Sequence, residues 1–309
     1  MPHRLMAVHA HPDDESSKGA ATSAKYVAEG NEVLVVSCTG GEAGDILNED
    51  LPEPAMSRAH RDMAGFRRGE MAAAQAALGI EHVWLGYHDS GLPDAEKGET
   101  VRPGTFATVP LEYSTEALVR VIRRFRPHVL VTYDENGGYP HPDHIRDHLV
   151  SMEAYRAAAD PDRYPDAGEP WQVQKVYYDR IMNPARMRAM LAHLEREQPE
   201  SPLVERLGEM LEWMGSRPDL ATTHVHVAEH FPARDAALRA HASQVPLDSP
   251  FFFWPNDLQA AAWPTEDFQL VESTVEVPEH EDDLFAGVVD DGLTGQVRRS
   301  VATEGQESR

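Results

Sequence analysis

The chain has 309 residues, 41% of them hydrophobic, which is enough to bury a sizeable core. It is long for one domain and short for two of full size, so we expect one large α/β unit with a smaller appended lobe. Lys and Arg number 28 against 52 Asp and Glu, a formal charge of −24, which disfavours nucleic acid and anionic membranes as partners. No run of about 18 apolar residues occurs, so no membrane-spanning helix is predicted.

The N-terminus and the cysteine content both favour the cytoplasm. Met1-Pro2-His3-Arg4 leads directly into strand-like sequence, without the apolar stretch of a secretory signal. Cys38 is the single cysteine and cannot form an internal disulfide, as expected in a reducing compartment. A cysteine-rich structural zinc site is excluded for the same reason. We therefore expect a cytoplasmic protein.

Apolar strands and helices alternate through the first 180 residues. Short buried strands are predicted at Leu5–Val8, Val33–Val36, Val83–Leu85 and Val129–Tyr133. Helices are predicted over Ser17–Glu29, Arg58–Leu78, Thr115–Phe125 and from Pro142 onward. Continuous apolar strands spaced by helices are typical of a parallel sheet covered on both faces. We predict a Rossmann-like, doubly wound α/β fold with a mostly parallel sheet over residues 1–180.

A smaller C-terminal α+β lobe is predicted over residues 181–288, completing the substrate pocket. Its predicted elements are two helices between Pro184 and Met214, strands at Thr223–Val227 and Phe268–Val277, and a helix near Ala233–Ala242. After Gly287 the chain loses periodicity and becomes polar. Residues 289–309 are therefore predicted to form a disordered tail.

Side chains with metal-binding atoms follow two of the predicted strands. The first strand runs into His9-Ala10-His11-Pro12-Asp13-Asp14-Glu15, and the fourth into Asp134-Glu135-Asn136-Gly137-Gly138-Tyr139-Pro140-His141-Pro142-Asp143-His144. Ligands of open parallel sheets bind beyond the carboxyl ends of the strands, so both segments should lie at one edge, with Gly40-Gly41-Glu42 and Asp89-Ser90-Gly91. Imidazole and carboxylate groups without thiolate suit zinc, or iron in a similar geometry.

This combination predicts a catalytic metal centre. Two histidines and one carboxylate would leave a coordination position for water, as catalytic sites do. One carboxylate of the Asp13-Asp14 pair would then bind the metal, while the other takes a proton from that water. His148 lies one turn beyond His144, and spacing alone does not decide which of the two binds the metal.

Each segment also has a simpler explanation. Asp13 or Asp14 could cap the helix that follows, and His141-Pro142-Asp143-His144 could start a helix with exposed histidines. Their convergence on one edge favours a site. A dinucleotide site is disfavoured, because the first strand lacks a Gly-x-Gly-x-x-Gly turn and its acidic residues would oppose a pyrophosphate.

Ala10-His11-Pro12-Asp13-Asp14-Glu15 and Gly138-Tyr139-Pro140-His141-Pro142-Asp143-His144 together resemble the LmbE-like zinc deacetylases, over about residues 4–287. The resemblance implies one zinc ion per chain, with iron(II) as the alternative, and it implies as ligands His11, Asp14 and His144. It implies Asp13 as the general base and later the acid. The remaining implied roles are oxyanion stabilisation by His141, oriented by Asp143, and contact with the substrate carbonyl by a mobile Tyr139.

The resemblance also implies the substrate, an amide of glucosaminyl-inositol. Asp89-Ser90-Gly91-Leu92-Pro93 is similar to family members that cleave mycothiol S-conjugates, small thiol conjugates, to release an N-acetylcysteine S-conjugate in detoxification. The alternatives are deacetylation of N-acetylglucosaminyl-inositol in mycothiol biosynthesis, or an antibiotic-pathway amidase acting on a mycothiol adduct.

The sugar part of the substrate would be held by Arg67 and Asp89. The simpler explanation of Arg67 is a solvated charge, for which Glu70 is the candidate ion-pair partner. Lys18 would contact the acyl-cysteine half, and otherwise is an exposed helix residue. Phe251-Phe252-Phe253-Trp254 could form an apolar wall for the S-substituent, with ordinary packing as the alternative.

Overall fold

The computed structural model describes residues 2–289, except 182, 216, 248, 250 and 251, together with 299 and 300. The α-helices of this part are α1 (Asp14–Ser17), α2 (Ala20–Ala28), α3 (Glu53–Arg61), α4 (Met63–Leu78), α5 (Leu111–Phe125), α6 (Pro142–Ala158), α7 (Pro184–Glu197), α8 (Pro202–Met214), α9 (Phe231–Ala240) and α10 (Asn256–Ala262). The strands are β1 (Arg4–His9), β2 (Glu32–Thr39), β3 (Glu81–Tyr87), β4 (Val129–Thr132), β5 (Lys175–Asp179), β6 (Thr223–His226), β7 (Thr265–Ser273) and β8 (Arg299–Ser300).

One sheet runs through the molecule in the order β3-β2-β1-β4-β5-β7-β6, and β8 pairs with β7. Strands β1 to β5 pair in parallel, whereas β7 is antiparallel to β5, β6 and β8. The chain winds outward from β1 to β3 and then returns to β4 on the other side of β1. This confirms the predicted α/β fold with a doubly wound, mostly parallel sheet. The switch point, where such folds bind ligands, lies between β1 and β4.

Alternate residues of the strands pack into two separate hydrophobic layers. Leu5 and Ala7 of β1 belong to one layer, with residues of α2, α4 and α9, whereas Met6 and Val8 belong to the other, with residues of α5 and α6. Successive side chains of a strand point to opposite faces, so the sheet is covered on both sides. Among the described helices, none is long and apolar enough to cross a membrane.

The predicted C-terminal lobe contributes to the same sheet. Strands β6 and β7 extend it beyond β5, and β5 itself was not among the predicted strands. The division of the chain into a domain and a lobe at residue 180 stays a prediction. The sheet itself contains strands from both sides of this residue. The predicted tail lies outside the described residues, apart from Val289 and the two residues of β8.

Two predicted helices are each divided in the structure. The helix predicted over Ser17–Glu29 covers α2 and the last residue of α1, which are separated at Gly19, whose φ of 77° is left-handed. Gly19 has no side chain to cap α2, so a carboxylate from β7 does so instead: Glu266 accepts hydrogen bonds from the N–H groups of Ala21 (3.2 Å) and Thr22 (2.8 Å).

The helix predicted over Arg58–Leu78 ends and restarts at Asp62. The Asp62 carboxylate caps α4 by accepting a hydrogen bond from the N–H of Gly65 at 2.8 Å. The sequence pattern showed the apolar periodicity across this point but not the cap.

Candidate metal centre and active site

The switch point brings the two motif segments together. His11 lies two residues after β1, and His141 and His144 lie at the N-terminus of α6, which follows β4. The ring centre of His11 is 4.7 Å from that of His141 and 5.3 Å from that of His144. All three side chains are buried, and they offer nitrogen atoms within 4.8 Å of one another.

His144 presents an unpaired nitrogen to this cluster. Its Nδ1 lies 2.9 Å from the carbonyl oxygen of Gly137, which can only accept, so Nδ1 carries the hydrogen. Nε2 then carries a lone pair. It is buried without a hydrogen-bond partner among the described residues, 3.5 Å from Asp14 Oδ2. Burial lowers the pKa of His144 to about 3. A neutral imidazole bonded to a carbonyl through its other nitrogen is the form that binds metals.

The backbone at Gly137 makes this contact available. Its φ is 70°, and a Cβ there would lie 2.6 Å from the Cβ of His144. A larger residue would therefore push α6 away, so the close approach of the carbonyl to His144 requires glycine.

His11 is arranged in the same way. Its Nε2 faces Asp143 Oδ2 at 3.4 Å and Asp89 Oδ1 at 3.5 Å, and its Nδ1 lies 3.5 Å from Asp14 Oδ2. The carboxylates accept the Nε2 hydrogen, as outer carboxylates do behind metal-binding histidines. This explains why His11, Asp89 and Asp143 also form a compact group of metal-binding atoms.

Asp14 Oδ2 lies 3.5 Å from His11 Nδ1 and 3.5 Å from His144 Nε2, so this carboxylate brings one oxygen and two nitrogens together. Such a group needs a cation or a proton between its members, and its donors suit a divalent metal ion. The residues present therefore fit the metal site that the sequence implied. Metal binding by these three residues stays a prediction, which this geometry favours.

The neutral ring of His141 carries its hydrogen on the other nitrogen from that of His144. Its Nδ1 accepts a hydrogen bond from the backbone N–H of Asp143 at 3.1 Å, so the hydrogen of the neutral ring is on Nε2. Burial lowers the pKa of His141. A nitrogen that carries hydrogen is a donor for an oxyanion rather than a metal ligand, in keeping with the predicted role.

Asp143 contacts His141 through its backbone N–H. The carboxylate faces His11 and accepts hydrogen bonds from the Ser90 N–H at 2.8 Å and from the Ser90 hydroxyl. It therefore positions His11.

Asp13 lies beside the cluster in a strained backbone conformation. Its φ of 124° and ψ of −27° fall in a region that residues with side chains rarely adopt. Its side chain is 26% exposed, and Oδ2 lies 2.6 Å from Arg67 Nη2. Burial raises the pKa of Asp13 although Arg67 opposes the rise. A partly exposed carboxylate of raised pKa next to a metal site is suited to accept a proton.

Arg67, one of the two predicted sugar-binding residues, directs its side chain to other residues of the protein. The residue is 2% exposed, and its guanidinium donates to the carbonyls of Pro12 and Gly41 as well as to Asp13. Glu70, the candidate ion-pair partner of the simpler explanation, accepts hydrogen bonds from the N–H and hydroxyl of Ser243 instead. Arg67 thus holds the loops that carry the motif.

Asp89 is likewise buried and holds the neighbouring loops. It accepts hydrogen bonds from the N–H groups of Ala43 at 3.1 Å and Gly91 at 2.8 Å. Tyr139 is 47% exposed, and its ring centre lies 4.6 Å from that of His144, so its hydroxyl can reach a substrate at the opening of the site.

Lys18 lies against Asp14. Its Nζ is 2.6 Å from Asp14 Oδ1, so one oxygen of Asp14 binds the ammonium and the other faces the two histidines. The sequence placed Lys18 near the acyl half of the substrate; in the structure the partner of its ammonium is a carboxylate of the site.

His148 points away from the cluster. Its Nδ1 lies 3.1 Å from the carbonyl oxygen of Tyr133, and its ring packs near Tyr178. The geometry therefore favours His144 as the ligand. Trp254 is buried in a cluster with residues of α7, α8 and α10, as in the packing alternative, while Phe251 lies outside the described residues.

Several residues that support the site had no predicted role. The ring of Tyr133 stacks on His144 at 4.4 Å, and Ser90 binds Asp143. Glu15 pairs with His241 at 2.7 Å. Glu15 lies within one motif segment and Tyr133 adjoins the other, so a supporting role for both was predictable. Nothing in the sequence around His241 indicates its role.

A two-histidine, one-carboxylate cluster with a second carboxylate and an N–H donor beside it is equipped for metal-assisted hydrolysis. Residues 6–155 match the family model described as PIG-L, GlcNAc-PI de-N-acetylase. The mycothiol S-conjugate amidase of Streptomyces coelicolor is 48% identical over 289 residues, covering 93% of this chain and 98% of its own length. The chain belongs to the PIG-L family, the LmbE-like deacetylases, and is a hydrolase of the amidase/deacetylase type.

Other relatives show the range of this family. The 1D-myo-inositol 2-acetamido-2-deoxy-alpha-D-glucopyranoside deacetylase of Nocardioides sp. is 42% identical over 301 residues, covering 92% of this chain and 98% of its own. Among solved structures, N,N'-diacetylchitobiose deacetylase from Pyrococcus horikoshii matches with a TM-score of 0.56 at 17% identity, over 86% of this chain and 83% of that one. The similarity to this solved structure concerns the fold alone.

Proposed function

We propose that this enzyme hydrolyses mycothiol S-conjugates at the amide between glucosaminyl-inositol and the N-acetylcysteine that carries the S-substituent. The products are glucosaminyl-inositol and a mercapturic acid. The observation that carries the reaction type is Nε2 of His144, which has no hydrogen-bond partner among the described residues and faces Asp14, with Asp13 alongside. The substrate is suggested by the 48% identical amidase.

The metal in this proposal is a single zinc ion, with iron(II) as the alternative, held by His11, Asp14 and His144. When bound, it would supply Lewis acidity to the amide carbonyl and to the attacking water. Asp13 accepts the proton of that water and returns it to the leaving amine, which its raised pKa favours. His141 donates a hydrogen bond from Nε2 to the oxyanion, and Tyr139 contacts the carbonyl from the opening of the site.

The second candidate is deacetylation of N-acetylglucosaminyl-inositol, suggested by the name of the 42% identical relative. Both reactions release the same amine and differ only in the acyl group. The catalytic groups would therefore act identically, and the residues beside the acyl group determine the preference. An amidase acting on a mycothiol adduct in an antibiotic pathway is a variant of the first candidate.

A side-by-side assay distinguishes the two substrates. We expect kcat/KM to be at least about tenfold higher for a fluorophore-labelled mycothiol conjugate than for N-acetylglucosaminyl-inositol, about 1.4 kcal/mol of transition-state binding. Metal analysis of the same preparation identifies the ion. A preference for the acetylated sugar would overturn the amidase assignment and leave the hydrolase.

A further inference from the structure

A buried ion pair lies directly behind Asp13. Oε1 of Glu15 is 2.7 Å from Nε2 of His241, and their side chains are at most 1% exposed. The other oxygen, Oε2, accepts the backbone N–H of Asp13 at 2.8 Å. A continuous chain of hydrogen bonds therefore runs from His241 through Glu15 to the backbone of Asp13.

Asp13 needs support because its backbone is strained. Its φ of 124° persists only where surrounding contacts fix it. Asp13 stands at the cap position of α1, yet its side chain makes no capping hydrogen bond and pairs instead with Arg67. Arg67 holds the carboxylate and the carbonyl of Pro12, and Glu15 holds the N–H of Asp13 between them.

His241 is fixed by a separate part of the chain. It directly follows α9, where its N–H donates to the carbonyl of Leu238 at 3.1 Å. Two residues later, the N–H and hydroxyl of Ser243 bind the carboxylate of Glu70 in α4, at 2.6 and 2.7 Å. The imidazole is thereby anchored to both α9 and α4, and it reaches Glu15 across 226 residues of sequence.

We propose that Glu15 and His241 are positioning residues, which hold the strained backbone of Asp13 so that its carboxylate stays beside the metal cluster. The proposal rests on the proposed function, since it takes Asp13 as the base. Without the pair, the peptide before Asp13 can rotate to a common φ and carry the carboxylate away. Turnover should then fall while metal and substrate binding persist.

Two substitutions of His241 form a matched test. Both place a neutral amide at this position, but His241→Gln can bring an N–H near the position of Nε2, whereas His241→Asn is one bond shorter. We expect His241→Gln to keep kcat within about threefold of the original protein. We expect His241→Asn to lower kcat at least about tenfold, with KM nearly unchanged and one metal ion retained per chain.

Three further measurements separate positioning from general damage. In an Asp13→Asn background, His241→Asn should cause no additional loss, because both changes act through the same carboxylate. His224→Ala breaks another imidazole–carboxylate pair, in which Nδ1 of His224 on the edge strand β6 lies 2.7 Å from Asp267, and should leave kcat unchanged. If His241→Asn fails to fold, Glu15→Asp is the substitute variant. It shortens the other side chain of the same pair, and it should show the selective loss of kcat.

Crystal structures of the two His241 variants report the φ of Asp13 independently of turnover. A relaxed φ in His241→Asn supports positioning even if neither substrate is hydrolysed, an outcome that would overturn only the proposed function. The proposal is overturned if His241→Asn keeps its kcat or its φ at Asp13, if kcat falls in proportion to bound metal, or if the loss persists in the Asp13→Asn background.

Discussion

The roles of the histidines depend on which ring nitrogen carries the hydrogen. His144 bonds a carbonyl and leaves a lone pair, whereas His141 accepts a backbone N–H and leaves a donor. The sequence indicated which histidines meet, because their motifs follow adjacent strands. It could not indicate their tautomers, because these depend on a carbonyl and an amide that the folded backbone places there.

The ligand assignment predicts a contrast between two histidines of α6. His144→Ala should abolish both metal retention and turnover, because it removes the buried lone pair that faces Asp14. His148→Ala is the matched control and should keep its metal, because His148 contacts a carbonyl away from the cluster. Metal content after gel filtration checks both; retention in the first variant with loss in the second would reverse the assignment.

Asp13 should matter for the rate and not for binding. Asp13→Asn keeps the shape of the side chain but cannot take a proton, so kcat should fall on the order of 10²- to 10⁴-fold. Metal content and substrate affinity, measured by equilibrium dialysis, should change little. Unimpaired hydrolysis by this variant would exclude Asp13 as the base.

Strands and helices were predictable where their apolar pattern was continuous, as in β1, β2 and β4. β5 was missed because Lys175 looks like a polar boundary in the sequence. In the structure Lys175 is fully buried, and its ammonium pairs with the carboxylate of Glu281, 106 residues later. A buried charge with a distant partner leaves no local signal.

The cap of α2 has the same kind of distant origin and can be tested. Glu266→Ala removes the acceptor for the N–H groups of Ala21 and Thr22 and for the Thr22 hydroxyl. Since these buried donors would then be unpaired, the free energy of unfolding should fall by about 2 kcal/mol or more. Glu272→Ala, in the same strand, is the control and should change it little in urea denaturation. Equal effects would show that the cap contributes nothing specific.

The arrangement of the whole molecule was predicted only in part. The doubly wound sheet follows from the alternation of strands and helices. That β6 and β7 continue this sheet was not evident, because antiparallel pairing between β5 and β7 joins segments separated by four α-helices. Spacing along the chain does not specify which strand edges meet.

The stability of the molecule should depend on pH through Asp147 in α6. Burial raises the pKa of its carboxyl to about 7, and Thr132 and Ser151 donate hydrogen bonds to it. An unfolded Asp ionises near pH 3.9, so the folded state keeps a proton that the unfolded state releases. This contribution is fully present below about pH 4 and is lost as the pH rises to about 7.

Asp147→Asn stays neutral throughout this range. Between about pH 5 and about pH 7.5, its free energy of unfolding should therefore fall less than that of the original protein. Urea denaturation of both proteins in the same buffers measures the difference. Parallel falls would mean that the folded protein already holds Asp147 ionised at the lower pH.

The cap at Glu266 and the pair at His241 give the active site a particular order of assembly during synthesis. His11, Asp13 and Asp14 leave the ribosome shortly before Glu15, but the imidazole that binds Glu15 follows 226 residues later and the cap of α2 later still. A growing chain can form β1 to β4 and bring the motif segments together before these contacts exist. The contacts that fix the reactive carboxylate are therefore complete only after His241 has been made, and a chain that stopped before this residue would lack them.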